Sequence, residues 1–107
     1  MSKITTHVLN TAAGRPAAGI AVTLEIQRDG EWQRLGEATT DADGRARNLL
    51  PDDHALAPGL YSLRFEVAGI SPFFPEVTIR FLVENPGQHY HVPLILSPYS
   101  YSTYRGS

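Results

Sequence analysis

The chain has 107 residues, nine Lys and Arg against eleven Asp and Glu, and no cysteine. A formal charge of −2 and a pI near 6.0 give no basic footprint for nucleic acid and no polybasic patch for a membrane surface. Without cysteine, a disulfide framework, thiolate catalysis and cysteine-ligated metal are excluded.

The length predicts one domain over residues 1–107, large enough for a two-layer core. The opening MSKITTHVLN holds no apolar signal core and no run of ~18 apolar residues, so a soluble, cytoplasmic protein is expected. Ile4, Thr6 and Val8 alternate with Thr5, His7 and Leu9, which predicts a strand over 4–10 with His7 opposite Ile4 and Val8. Residues 11–19, with Gly14 and Pro16, form a connecting loop. Residues 21–28 alternate again, and Asp29-Gly30 is a strong hairpin dipeptide because both residues tolerate positive φ. The chain returns over 31–39 with Trp32 and Leu35. Asp41-Ala42-Asp43-Gly44 is a turn from which Arg45 emerges directly.

Leu49 to His54 offers a short helical turn, ended at the latest by Pro58-Gly59. Residues 60–67 form a strand with Tyr61, Leu63, Phe65 and Val67 on one face. Residues 68–75 connect it to a strand over 77–84, and Asn85-Pro86-Gly87 reverses the chain. In the following strand His89, His91, Pro93 and Ile95 share one face, while Tyr90, Val92, Leu94 and Leu96 form an apolar face suited to a core. Ser97-Pro98 breaks this run, and a last strand from Tyr99 to the C-terminus places Ser100, Ser102 and Tyr104 together. Seven to eight short strands, turn residues between them and no useful 3.6-residue periodicity predict an all-β, two-sheet sandwich.

Taken singly, the candidate residues have bland readings. His7 fits a solvated strand position, His89 and His91 an exposed sheet face, and His54 a solvated loop. Arg45 reads either as a turn arginine in a weak surface ion pair or as a planar donor fork for an anionic ring. Arg47 has the same parity and competes for that role. Asp41 and Asp43 begin like a calcium loop, but the later ligands are misplaced. His7, His89 and His91 supply three possible zinc ligands with no evident fourth. Glu76 and the other carboxylates form no acid/base pair of the glycosidase kind, and no serine elbow is present.

Four segments taken together carry a stronger signal. HYHVPLILSPYSYSTYRGS at 89–107 resembles the C-terminal signature of the 5-hydroxyisourate hydrolases, the enzymatic branch of the transthyretin-like family. THVLN at 6–10, DADGR at 41–45 and SPFFPE at 71–76 resemble the family's other landmarks in the same order, so the resemblance spans essentially the whole chain. Transthyretin, the hormone carrier, shares the SPYSYST run but lacks the two histidines and the YRGS ending; this chain sides with the enzymes.

The resemblance implies a transthyretin-like sandwich assembled as a homotetramer, with active sites at the dimer–dimer contacts. It implies hydrolysis of 5-hydroxyisourate to 2-oxo-4-hydroxy-4-carboxy-5-ureidoimidazoline in urate catabolism, without metal or other cofactor. His7 and His91 are then the catalytic histidines, and the DGR pattern selects Arg45 to hold substrate and stabilise the oxyanion. Tyr104, Arg105, Gly106 and Ser107, with Ser102 beside them, are expected to close the substrate pocket. Ser107 brings a hydroxyl and the terminal carboxylate to the chemistry. His89 is left as a neighbour at the mouth of the strand. Two departures stand out: Ala68-Gly69-Ile70-Ser71 is too short for the family's helix, and Ser100 replaces a glycine. The alternative functions are a carrier of a small aromatic ligand in the tetramer channel and a structural or adaptor sandwich needing none of these motifs.

Overall fold

The computed structural model describes residues 3–51 and 54–107. Its nine strands are β1 (Ile4–Asn10), β2 (Arg15–Pro16), β3 (Ala21–Arg28), β4 (Glu31–Thr39), β5 (Arg45–Ala46), β6 (Gly59–Glu66), β7 (Glu76–Val83), β8 (Tyr90–Leu96) and β9 (Tyr101–Thr103). One sheet runs β2-β1-β8-β9 with β5 also on β1; the other runs β4-β3-β6-β7. Nine exceeds the expected seven to eight, and the two shortest, β2 and β5, lie where the sequence reads as loop and turn. At two residues each they are too short to show alternation, and they exist only as partners for the second edge of β1.

Alternation sets the layers. Ile4, Thr6 and Val8 of β1 and Tyr90, Val92, Leu94 and Leu96 of β8 are buried against Val22, Leu24 and Ile26 of β3 and Tyr61, Leu63 and Phe65 of β6. Each fully buried aliphatic or Phe side chain contributes roughly 1.5–3 kcal/mol. Thr6 is the polar exception in this layer, and its hydroxyl donates to the Val92 carbonyl. Asp29 and Gly30 adopt φ of 54° and 79°, the mirror-image turn that matches strand twist, and register β3 on β4 with Arg28 opposite Glu31.

No helix occurs among the described residues. At 68–70 the chain makes a turn in which Ile70 and Ser71 both donate to the Val67 carbonyl. The expected helical turn at 49–54 falls partly on Asp52 and Asp53, outside the described residues. Beside them Leu49 and Leu50 are bends buried in the core.

β1 is the strand on which the site is built. It runs parallel to β8 along its whole length, and its other edge takes β5 at Thr6 and His7. β9 is shorter than expected, because Pro93 has no N–H to continue the ladder past Leu94–Thr103. The Thr103 hydroxyl takes the Pro93 carbonyl instead, at 2.7 Å. The register is nevertheless kept, and pairing resumes at His91 and Gly106, where the Gly106 N–H donates to the His91 carbonyl at 2.7 Å.

Candidate active site

The registers alone bring the candidate residues together. His7 lies directly across from Arg45, Thr5 across from His91, and His91 across from Gly106. Registered partners share a face, and Thr5 and His7 are two residues apart on β1. Their side chains therefore gather on the outer face of the β2-β1-β8-β9 sheet, away from the core. They line a cleft of about 580 Å³ together with Arg47, His89, Tyr104, Gly106 and Ser107.

The Asp41–Arg45 turn supplies two of these parts. Asp41 Oδ1 accepts from the N–H groups of Asp43 (2.9 Å) and Arg45 (3.0 Å), and the Arg45 N–H bond leads the forces that hold the Asp41 carboxyl below its ordinary value of 3.8. The turn so fixed aims the Asp43 carbonyl at His7, 2.7 Å from Nε2. A carbonyl only accepts, so His7 carries its proton on Nε2 and its Nδ1 keeps a lone pair when the ring is neutral.

His91 is half-buried. Burial, followed by the nearby Arg45, His89 and His7, holds its pKa below the ordinary 6.5, so the ring is neutral at pH 7. Its Nδ1 meets the Thr5 hydroxyl at 2.8 Å, and the same hydroxyl lies 3.0 Å from Nε2 of His89. Gly106 is required by close approach: a Cβ there would sit 2.5 Å from Cδ2 of His91. The glycine of the YRGS segment thus gives the imidazole a flat backbone wall.

The two arginines differ in what surrounds them. Arg47 reaches toward Asp41 at 3.9 Å, whereas Arg45 makes no salt bridge among the described residues and borders the cleft. Among the described residues no three of His, Cys, Asp or Glu are placed to hold a metal ion.

Of the sequence-expected pocket residues, His7, Arg45, His91, Tyr104, Gly106 and Ser107 border the cleft; Ser102 and Arg105 do not. Ser102 pairs with Ile95, four residues along β8 from His91. Arg105 follows the parity of Val92 and leaves on the opposite face, where its guanidinium lies 4.5 Å from the Tyr90 ring centroid and donates to Gln88. Thr5 was not singled out by the sequence, although its parity with His7 places it on this face. His54 is half-buried in its loop and lies outside the cleft.

Comparison with known proteins bears on the family and the fold. The profile described as Transthyretin, the HIUase/Transthyretin family, matches residues 4–106. A 5-hydroxyisourate hydrolase of Caulobacter vibrioides is 50% identical, with all of both chains covered. The solved 5-hydroxyisourate hydrolase of Klebsiella pneumoniae superposes with a TM-score of 0.81 at 34% identity, again over all of both chains. Sea bream transthyretin, solved with thyroxine, gives a TM-score of 0.86 at 27% identity, covering 98% of this chain and 95% of its own. Backbone shape alone therefore does not separate the hydrolases from transthyretin, while identity favours the hydrolases. Fold, motifs and profile converge, and the chain belongs to the HIUase/Transthyretin family.

Proposed function

We propose that this protein hydrolyses 5-hydroxyisourate to 2-oxo-4-hydroxy-4-carboxy-5-ureidoimidazoline, a step of urate degradation. One observation carries the proposal: the histidines His7 and His91 and the unpaired Arg45 meet in one cleft closed by Gly106 and Ser107. The reaction is attack of water on a ring carbonyl and opening of an amide-type C–N bond. It needs no side-chain nucleophile, only a base near neutrality, a donor for the oxyanion and a proton for the leaving nitrogen. His91, neutral at pH 7, and His7, with a lone pair on Nδ1, share water activation and proton delivery. Arg45 holds the substrate and stabilises the oxyanion. Tyr104, Gly106 and Ser107 border the bound ring.

The carrier reading has less support. Arginine, histidine, threonine and serine dominate the lining, whereas a carrier of an apolar aromatic ligand favours an apolar wall. Addition of freshly generated 5-hydroxyisourate, followed by ultraviolet absorbance, distinguishes the two: the enzyme accelerates its decay, and a carrier only binds it. EDTA should leave the rate unchanged; inhibition reversed by zinc would instead make the histidines metal ligands.

Arg45→Lys keeps the charge but loses the bidentate fork. Most of the activity should be lost, on the order of 10²-fold, while Arg47→Lys should lose little. The opposite ranking would transfer the substrate role to Arg47.

Homotetramer formation, with sites at the dimer–dimer contacts, belongs to the same proposal. Among the described residues, strands β7 and β9 end their sheets with free edges, and Leu82 and Tyr101 on them are exposed. Sizing by light scattering checks the assembly. No helix among the described residues is long and apolar enough to cross a membrane. A cytoplasmic site of action goes with the proposal and is checked by fractionation.

A further inference from the structure

The cleft contains a polar chain that plays no part in water attack or oxyanion stabilisation. Thr5, only 6% exposed, sets one hydroxyl between two imidazoles, 2.8 Å from Nδ1 of His91 and 3.0 Å from Nε2 of His89. The rings are nearly parallel, 19° apart with centroids 6.3 Å from each other. His91 is half-buried, whereas His89 is exposed. The chain therefore runs from a half-buried ring to an exposed one, both bordering the cleft.

A hydroxyl has one proton, so it donates to one of these rings and accepts from the other when both are neutral. In one arrangement Nδ1–H of His91 donates to Thr5, and Thr5 donates to Nε2 of His89. His91 then presents an unprotonated Nε2. In the other, every bond is reversed and His91 presents Nε2–H. Among the described residues nothing else bonds Nε2 of His91, and no buried side-chain nitrogen or oxygen lacks a partner, so Nε2 is reached from the cleft.

We propose that Thr5 and His89 form a proton relay which removes from His91 the proton taken from the attacking water and delivers it to solvent. This rests on the hydrolase reading above. Water adds to the carbonyl as its proton passes to Nε2 of His91, making that ring an imidazolium. The Nδ1 proton of His91 then moves to the Thr5 oxygen while the Thr5 hydroxyl proton moves to Nε2 of His89. His91 is left neutral with its proton on Nε2, and the positive charge resides on exposed His89, which releases a proton to water. Of the water's two protons this one leaves along the chain, and the other, still on the tetrahedral intermediate, passes to the leaving nitrogen, so that the acid product departs as the carboxylate. Burial and the charge of Arg45, which disfavour an imidazolium at His91, drive the transfer outward. Thr5 is a positioning and relaying residue; His89 acts only through it.

The test uses Thr5→Val, Thr5→Ser, His89→Gln and the double variant Thr5→Val/His89→Gln. Thr5→Val should lower kcat roughly 10²-fold, the low end for a positioned acid–base element, with KM little changed. Thr5→Ser should restore most of the rate. His89→Gln should lose a similar factor, and the double variant no more than the larger single loss. Nitrogen-15 NMR of ligand-free protein supplies a readout independent of turnover: His89→Gln should alter the Nδ1–H to Nε2–H ratio of His91. Losses that multiply in the double variant, or an unchanged His91 tautomer ratio, would overturn the relay. Failure of the wild type to hydrolyse 5-hydroxyisourate would instead overturn the hydrolase reading and leave the tautomer result standing.

Discussion

His91→Asn should lower turnover by ~10²–10⁴, the usual worth of a positioned general acid–base, and leave the sandwich intact. Asparagine is polar and smaller, and it can still bond the Thr5 hydroxyl, but it does not titrate. The rate should follow the neutral imidazole. Burial first, then the charges of Arg45, His89 and His7, depress its pKa, so the acid limb of kcat/KM should lie below 6.5. The same shift fixes the sign of the stability effect. Between pH 6.5 and the lower folded value, the unfolded chain binds more protons at this site, so its contribution to stability is lost as pH falls through that window. Removing one cleft charge with Arg45→Met should move the NMR midpoint of His91 upward, but only part of the way, because burial remains the leading cause. The other groups bordering the cleft, Arg47, Tyr104 and Ser107 among them, stay in place in that comparison. Turnover at the wild-type rate in His91→Asn would remove His91 from the mechanism.

Most of the fold was legible because alternation survives in every long strand. Ile4, Thr6 and Val8 are each fully buried, and His7 lies opposite, as period two requires. The seven longer strands fall within two residues of their expected bounds, apart from the C-terminal end of β9. The short pieces were not legible. Arg15–Pro16 and Arg45–Ala46 become strands only because β1 has an edge to offer, a fact of topology rather than of local pattern.

The site was legible to a different extent. Parity places His91 and Tyr104 on the cleft face and also sends Arg105 to the other side, against Tyr90; grouping the whole YRGS segment into one wall overlooked that alternation. The parallel pairing of β1 with β8 was not available from sequence. It brings Thr5 across from His91 over a separation of 86 residues and so creates the hydroxyl bridge between the two C-terminal histidines. Arg45 was separated from Arg47 by motif alone. The structure adds a physical distinction, since Arg47 already leans on Asp41.

Deleting Arg105 to Ser107 should abolish most of the hydrolysis, a loss on the order of 10²-fold or more, while the fold and its assembly persist. Trimming a chain end is usually harmless because few contacts hold it. Here the hydrogen-bonded part of β9 stops at Thr103, two residues before the deletion begins, so the sheet keeps its edge strand. The excised residues contribute elsewhere. Gly106 donates to the His91 carbonyl and forms the wall against Cδ2 of the ring, and Ser107 borders the cleft. Arg105 covers Tyr90 on the opposite face, so Arg105→Ala alone should cost little activity. Gly106→Ala gives the finer measurement. The added methyl meets Cδ2 of His91 at 2.5 Å, which forces the ring from its seat by a few tenths of an ångström or more and should lower kcat more than it raises KM. Extending the chain beyond Ser107 with an affinity tag should impair turnover more than the same tag placed before Met1, since Ser107 borders the cleft. Steady-state rates and light scattering on the truncated, substituted and tagged proteins decide the matter. A fully active, normally assembled protein without its last three residues would make the segment a tail and would count against the hydrolase function itself.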